Sequence, residues 1–262
     1  MEIWQAIILG AVQGFAEFLP VSSSGHLLLV QRWLGITEGS LFFDIMLHIG
    51  TLIPVCIVFF KEIISLFKKP FNKMLLLIIA TIPAALTGVL LADVVEGAFY
   101  GGDLLSACLL SVTFILTATE LFLSEYVSKK YDRALPLSIK SSIAMGVAQG
   151  VAIVPGLSRS GTVISAGCYA GVERNENANF AFLMSIPIIL GAALVSGLDV
   201  IESGIQIDAL PLLFGMATSI ITGYIAIKVM LKVIKKANYK WFSLYLVVIS
   251  AASIISFVAF GV

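Results

Sequence analysis

Six stretches of the chain, 41–60, 74–92, 104–124, 178–198, 209–229 and 241–261, run with scarcely a charge among Leu, Ile, Val, Ala and Phe. A helix of ~20 apolar residues matches the hydrocarbon thickness of a bilayer. Backbone in lipid must satisfy its own hydrogen bonds, which a helix does within one segment. The chain therefore reads as an all-α polytopic membrane protein with six full transmembrane helices, in a single integral membrane domain over 1–262. Charge agrees: 12% of residues are charged, against about 25% in soluble domains. The formal net charge of zero leaves no basic field for nucleic acid. Glu2 stands where a secretory signal would carry a basic segment. Cys56, Cys108 and Cys168 are scattered through apolar segments without metal or disulfide spacing and read as core thiols.

Two further segments are apolar but too short to span. Residues 1–18 form a helix carrying Gln13 and Glu17, broken at Pro20–Gly25 and followed by a short helix over 26–35. Residues 141–154 and 160–171 repeat the plan around Pro155-Gly-Leu-Ser-Arg159-Ser-Gly-Thr162. Half-length helices around a polar turn predict re-entrant hairpins, since irregular backbone at membrane depth survives only against protein or a wet cavity.

Cations set the orientation. The loops with Lys61, Lys68, Lys69 and Lys73, with Lys129, Lys130, Arg133 and Lys140, and with Lys228, Lys232, Lys235, Lys236 and Lys240, together with a short connection bearing Arg174, hold 14 of the 16 Lys and Arg. These ends are expected in the cytoplasm. The acidic loops with Asp93, Glu96 and Asp103, and with Asp199, Glu202 and Asp208, then lie outside with both termini. The first hairpin enters from the outer face and the second from the cytoplasm.

A shift of 136 residues lays GAVQGFAEFLPVSSSG at 10–25 on GVAQGVAIVPGLSRSG at 146–161 without a gap. Gly10, Gln13, Gly14, Ala16, Ser22, Ser24 and Gly25 meet identical residues; Thr87-Gly88 finds Thr222-Gly223 at a shift of 135. The chain thus divides into repeats over 1–135 and 136–262, each with three full spans. An odd number of spans inverts the second repeat, and inverted repeats place their site where broken helices meet near the midplane. The mismatches matter as well: Glu17 pairs with Ile153, Ser23 with Arg159, and His26 with Thr162. If the tips touch, they assemble one asymmetric site.

Arg159 is costly at membrane depth and calls for an anion or a wet cavity. Ser158, Ser160 and Thr162 beside it, and Ser22 and Ser24 on the other tip, offer donors for a phosphate, though each alone serves equally as a helix cap. Glu17, with Gln13 one turn before it, is a packing pair, a proton acceptor or a ligand for a hard divalent cation; the neighbouring phosphate site favours the metal. Ser23 is a cap or a nucleophile, His26 a packing group or a nucleophile or general acid/base, and the sequence does not choose between them. Arg159 is an ion-pair partner of Glu17 or a clamp on a transferring phosphoryl group. Asp44 and His48 share a helix face and read as a structural pair.

The stretch Gln13-Gly-Phe-Ala-Glu17-Phe-Leu-Pro-Val-Ser-Ser23-Ser-Gly-His26 resembles one signature of the bacterial undecaprenyl-diphosphate phosphatases, also called the bacitracin-resistance protein family. Pro155-Gly-Leu-Ser158-Arg159-Ser160-Gly resembles the second, and the resemblance runs the whole length. It implies removal of the terminal phosphate of undecaprenyl diphosphate, which recycles the lipid carrier of peptidoglycan and other envelope polymers and confers bacitracin resistance. It also implies a Mg²⁺ or Ca²⁺ requirement and a bacterial plasma-membrane site open to the outer face. By motif position Glu17 and Gln13 match the acidic motif, Ser23 and His26 the catalytic pair, and Arg159 the essential arginine. The family's second signature usually has Thr four residues after the arginine, where this chain has Val163, with Thr162 one position earlier.

A rival reading is an ion-coupled transporter or lipid flippase, because inverted repeats with paired hairpins are common in transporters. A channel suits the Pro and Gly breaks, but Arg159 would repel cations. The Ser, His, Glu and Arg cluster favours phosphoryl chemistry. A homodimer suits so compact a bundle, and nothing in the sequence shows it.

Overall fold

The structure is a computed structural model. It describes residues 1–36, 40–130, 134–203, 208–236 and 238–261, without the side chains of 40, 41, 196, 199–203, 235, 236 and 260. Arg133, and the side chains of Asp199, Glu202, Lys235 and Lys236, therefore lie outside the described residues. The described residues form eleven helices: α1 (Ile3–Phe18), α2 (Ser23–Trp33), α3 (Ser40–Val58), α4 (Phe60–Leu66), α5 (Asn72–Phe99), α6 (Leu104–Lys130), α7 (Ile139–Val151), α8 (Arg159–Tyr169), α9 (Arg174–Ser203), α10 (Ala209–Lys236) and α11 (Lys240–Phe260). Five are long and apolar enough to cross a membrane, or six if α3 and α4, bent by 84°, make one span. The chain is an all-α polytopic membrane protein.

The bend departs from the straight span expected over 41–60. The helix stops at Val58, Phe59 takes φ −101° and ψ 22°, and Lys61 rides on α4 rather than in a loop. Other helices outrun their apolar runs. α5 carries Asp93 and Glu96 on its last turns, α10 carries Lys228 and Lys232, and Arg174 opens α9 instead of lying in a connection. Hydropathy marks where the apolar slab ends. The helix continues until something breaks it, and Lys and Glu are good helix formers. α5 stops only before Gly101-Gly102, where Gly102 has φ +67°.

α1 packs along α10 and α7 along α5; α3 lies against both α9 and α10, and α6 against α11. Small residues make the first two contacts close. A Cβ on Gly10 would strike the Gly215 carbonyl, and one on Gly14 would lie 2.7 Å from the Ser219 carbonyl. On α7 a Cβ on Gly146 would strike Ala80, and one on Gly150 would lie 2.7 Å from Thr87 Oγ1. Between apolar helices in lipid, such backbone proximity supplies the van der Waals contact that the hydrophobic effect cannot. The glycines matched by the 136-residue shift thus serve helix approach.

Glu125 of α6 accepts from the backbone N–H groups of Tyr239 and Lys240, two orphan donors at the start of α11. Arg32, one of the two cations outside the Lys-rich ends, donates to the Phe99 carbonyl at 2.7 Å and to Ser106 Oγ at 2.9 Å. It ties the end of α2 to the α5–α6 connection.

Candidate active site

α1–α2 and α7–α8 are helical hairpins whose turns meet. Ser22 Oγ accepts from the N–H of Gly156 at 3.1 Å and from that of Gly25 at 3.3 Å. Ser160 Oγ donates to the Leu19 carbonyl at 3.3 Å. A Cβ on Gly25 would lie 2.8 Å from Gly156 backbone atoms, so the tips approach closely because residue 25 is glycine; at Gly156, with φ +89°, a Cβ would instead strike Thr113 of α6. Ser22 adopts φ +70°, a sparsely populated conformation for a residue with a Cβ. Thr113 and Thr117 of α6 hold the second tip, donating to the carbonyls of Pro155 at 2.7 Å and Gly156 at 2.9 Å.

The contact brings the starts of α2 and α8 to one place, and a helix N-terminus is the positive end of its dipole. Ser23 opens α2 and Arg159 opens α8. Between them sits the Glu17 carboxylate, whose side chain is 2% exposed. Arg159 Nη2 donates to Glu17 Oε1. Oε2 accepts from Ser23 Oγ at 2.7 Å and from Gln13 Nε2 at 3.0 Å, and His48 Nε2 stands 3.4 Å away. A buried carboxylate survives when it is paired and hydrogen-bonded, and here four side chains from four helices surround one. Arg159 and His48 are each 20% exposed, so they line the opening while Glu17 lies behind them.

His26 is differently occupied. Its Nδ1 lies 2.8 Å from the Ser22 carbonyl, which only accepts, so Nδ1 carries the proton. Nε2 lies 2.8 Å from the Tyr245 hydroxyl, from which it accepts when the ring is neutral. Phe114 meets the ring edge-on at 5.3 Å. Both ring nitrogens are thus engaged, one of them by a residue of α11.

The sequence-derived candidates thus divide. Gln13, Glu17, Ser23 and Arg159 come together around one carboxylate. Ser22 and Ser158 are buried and act as N-caps of α2 and α8, Ser158 Oγ accepting from the Gly161 N–H at 3.1 Å. Ser24 lies partly exposed beside Ser23, and Ser160 reaches the first tip. Thr162 turns away from the carboxylate and donates to Glu120 of α6 at 2.9 Å. His48 belongs to the cluster, which the spacing of Asp44 and His48 did not reveal. Asp44 accepts from Gln31 Nε2 at 2.6 Å, and its carbonyl lies 2.7 Å from His48 Nδ1, which aims the ring at Glu17. Tyr245 and Glu120 carry no local motif; their distance along the chain hid them.

The implied divalent cation can be tested against these residues. Gln13 Oε1 is buried without a hydrogen-bond partner, one turn from a carboxylate. A carboxylate, a free amide oxygen and a serine hydroxyl are hard oxygen donors of the kind Mg²⁺ and Ca²⁺ take. Among the described residues no three His, Cys, Asp or Glu side chains cluster. The set therefore suits an ion that completes its shell with phosphate and water oxygens, as Mg²⁺ commonly does.

The chain is similar to known proteins along nearly its whole length. Residues 6–252 match the family model described as bacitracin resistance protein BacA. An undecaprenyl-diphosphatase of Carboxydothermus hydrogenoformans is 42% identical over 249 residues, covering 94% of each chain. One from Desulforapulum autotrophicum is 38% identical, covering 98% of this chain and 99% of its own. One from Methanobrevibacter smithii is 42% identical, covering 94% of each.

Proposed function

The chain belongs to the bacitracin resistance protein BacA family, and from that premise we infer that it hydrolyses undecaprenyl diphosphate to undecaprenyl phosphate and inorganic phosphate. The relatives are named for this hydrolysis and not for transport, so the transporter reading falls behind. The observation that carries the chemistry is the 2.7 Å hydrogen bond from Ser23 Oγ to a Glu17 carboxylate that also holds Arg159.

Ser23 is the nucleophile in this reading. Its proton already points at a carboxylate base, whereas the His26 lone pair is taken by Tyr245. Glu17 accepts the proton as Ser23 Oγ bonds to the terminal phosphorus and the bond from that phosphorus to the bridging oxygen breaks. Undecaprenyl phosphate leaves and takes that proton on its freed oxygen, which returns Glu17 to the carboxylate. The carboxylate then takes a proton from water as the water oxygen bonds to the seryl phosphorus; the bond from phosphorus to Ser23 Oγ breaks, Oγ takes the proton back from Glu17, and inorganic phosphate is released.

Arg159 spends one of its five N–H donors on Glu17. The rest are available for the equatorial phosphoryl oxygens, with the α2 and α8 N-termini adding fixed positive ends. His48, whose Nδ1 donates to the Asp44 carbonyl, turns Nε2 toward the same carboxylate and is a further donor there as an imidazolium. Glu17 and Gln13 would hold the Mg²⁺ or Ca²⁺, which supplies charge neutralisation on the diphosphate when bound. His26 is a positioning residue that fixes the Ser22–Ser23 turn to α11.

The two halves, 1–135 and 136–262, are inverted repeats in this reading. The exchange of partners supports it: α1 lies on α10 as α7 lies on α5. The cationic ends then face the cytoplasm of a bacterial plasma membrane, and the hairpin tips open toward the outer face. A homodimer, if formed, shows as doubled mass in a nanodisc.

The test is phosphate release from a polyprenyl diphosphate by purified protein, with and without EDTA. Metal-dependent release that disappears in Arg159→Ala is expected. No release from folded wild type across several divalent metals and lipid lengths would return the transporter to first place.

A further inference from the structure

α3 carries more than His48. The strip Ile49, Ile53, Cys56 and Phe60 begins one residue past it and faces α9 at Ile186 and Leu190. Together these helices border a shallow, open groove of about 620 Å³ lined by apolar side chains and the Cys56 thiol. The spacing i, i+4, i+7 keeps Ile49, Ile53 and Cys56 on one face of α3, and Phe60 ends the strip as the first residue of α4. The groove is open sideways: Ile53 is 42%, Phe60 62% and Leu190 48% exposed. Single exposed apolar residues are ordinary on a membrane protein; here the groove has Ile49 directly after His48 and Leu52 one helical turn beyond it, so it runs along the helix that carries the cluster's imidazole.

We propose that this α3–α9 groove holds the head-proximal isoprene units of the lipid substrate. The inference rests on the phosphatase reading above and deepens it. The head group, bound between Glu17, Arg159 and His48, must send its tail somewhere apolar. The groove's upper end lies beside His48, whose Nε2 is 3.4 Å from Glu17. Its lower end is Phe60, where the chain turns by 84° into α4.

Length sets what fits. From Ile49 to the end of α3 at Val58 the helix rises ~14 Å, and Phe60 at the start of α4 extends the strip to ~16 Å at most. An extended chain covers about 3.6 Å per three backbone bonds, so a four-bond isoprene unit spans ~4.8 Å on the same geometry. The groove accommodates between three and four units, and the remainder of a longer tail stays in lipid. Lipid tails are as apolar as the groove, so burial alone selects weakly. Occupancy comes from the tether: once the head is bound, the first units meet the groove at high effective concentration. Chain length should therefore matter up to about four units and then cease to matter.

Cys56 lies inside the groove and provides the probe. In a Cys108→Ala, Cys168→Ala protein with intact phosphate release, its alkylation by N-ethylmaleimide is timed in detergent. Two hydrolysis-resistant competitors share one head: geranylgeranyl methylenediphosphonate, with four units, and dimethylallyl methylenediphosphonate, with one. The long competitor is expected to slow alkylation about tenfold or more, and the short one not at all, because Cys56 is ~12 Å along α3 from His48. In parallel, Ile53→Trp should reduce kcat/KM for geranylgeranyl diphosphate about tenfold through KM, and leave dimethylallyl diphosphate nearly unaffected. Inhibition of phosphate release by both competitors with unchanged alkylation places the tail elsewhere and overturns the groove alone. Equal slowing by both overturns it too, since a change at the head would then explain the protection. Slow alkylation that depends on protein concentration and yields Cys56–Cys56 cross-links makes the groove an interface between copies, again against it. Absence of phosphate release from either lipid by the parent protein removes the phosphatase reading itself, an outcome separate from the others.

Discussion

At the α1–α2 tip, Ser22 caps the second helix by accepting from the Gly25 N–H at 3.3 Å; at the α7–α8 tip, Ser158 does the same for Gly161 at 3.1 Å. The residue one place after each cap begins the helix: Ser23 in one, Arg159 in the other. Three places further, His26 meets Tyr245 of α11 and Thr162 meets Glu120 of α6. The frame is the same at positions 136 apart, and each tip docks on the long helix nearest the end of the opposite half. Only the functional groups differ. The first tip keeps the carboxylate and the hydroxyl, the second the guanidinium, so neither makes the cluster alone. A shared frame places groups to within a helical turn, and single substitutions on it decide what they do.

The comparison breaks most sharply if the groups are made equal. Ser23→Ala should lower kcat by on the order of 10⁴-fold, because among the described residues no other hydroxyl donates to Glu17. Arg159→Ser, which gives the second tip the residue of the first, should cost about 10³-fold in kcat/KM. Arg159→Lys should recover only part of it, since an ammonium lacks the planar fork. Phosphate release from a polyprenyl diphosphate in detergent reads each variant, with circular dichroism and gel filtration as the check on folding. Activity in Ser23→Ala within a few fold of wild type would move the nucleophile to His26 and undo the assignment of roles.

The docking contacts come next. His26→Thr copies the second tip onto the first and leaves the Tyr245 hydroxyl without its acceptor. A displaced Ser22–Ser23 turn misaligns the nucleophile, so kcat should fall about 10²-fold while KM moves little. Tyr245→Phe removes only the hydrogen bond and should cost about fivefold. Thr162→Val on the other tip should change kcat less than threefold, because its hydroxyl faces Glu120 and not the carboxylate. Equal losses in His26→Thr and Thr162→Val would show that both tips serve only as scaffold.

Much of this frame was legible before any coordinates. Apolar length located the spanning helices, and the gapless 136-residue match singled out the two tips and the residues that differ between them. Membrane physics itself made Glu17 and Arg159 conspicuous, since charges at depth need partners. What the chain hid was of two kinds. Helix ends were hidden because hydropathy reports the bilayer: Asp93, Glu96 and Lys232 lie beyond the apolar run but still on the helix. The break at Phe59 follows two residues with strong apolar character and carries no Gly or Pro of its own; Pro54 lies inside α3. Distant partners were hidden because no periodicity connects His48, Tyr245 or Thr117 to the hairpins. Asp44 and His48 were visible as a pair, yet only packing of α3 against α1 tells which way the imidazole turns. The caps were misleading for a different reason: Ser22 and Ser158 have the composition of an anion site, and a helix start uses the same hydroxyls.

The finest test of the inequality uses the one polar residue that the two first helices share. Gln13 and Gln149 occupy matched positions, both buried, and both leave Oε1 without a hydrogen-bond partner. Gln13 donates to Glu17 at 3.0 Å; Gln149 reaches the Met184 carbonyl at 3.5 Å and has Ile153, not a carboxylate, one turn on. If an unsatisfied oxygen marks a cation ligand only where a carboxylate accompanies it, the two should respond oppositely to loss of the amide. Gln13→Leu should raise the Mg²⁺ concentration for half-maximal phosphate release about tenfold, with little change in melting temperature. Gln149→Leu should leave the metal requirement alone and stabilise the protein by about 1 kcal/mol, because an unpaired buried oxygen disappears and only a long hydrogen bond is lost. Metal titration and thermal melting in the same detergent measure both. A shift in metal requirement in Gln149→Leu equal to that in Gln13→Leu would mean that the orphaned amide oxygens report helix packing, and Gln13 would leave the cation site.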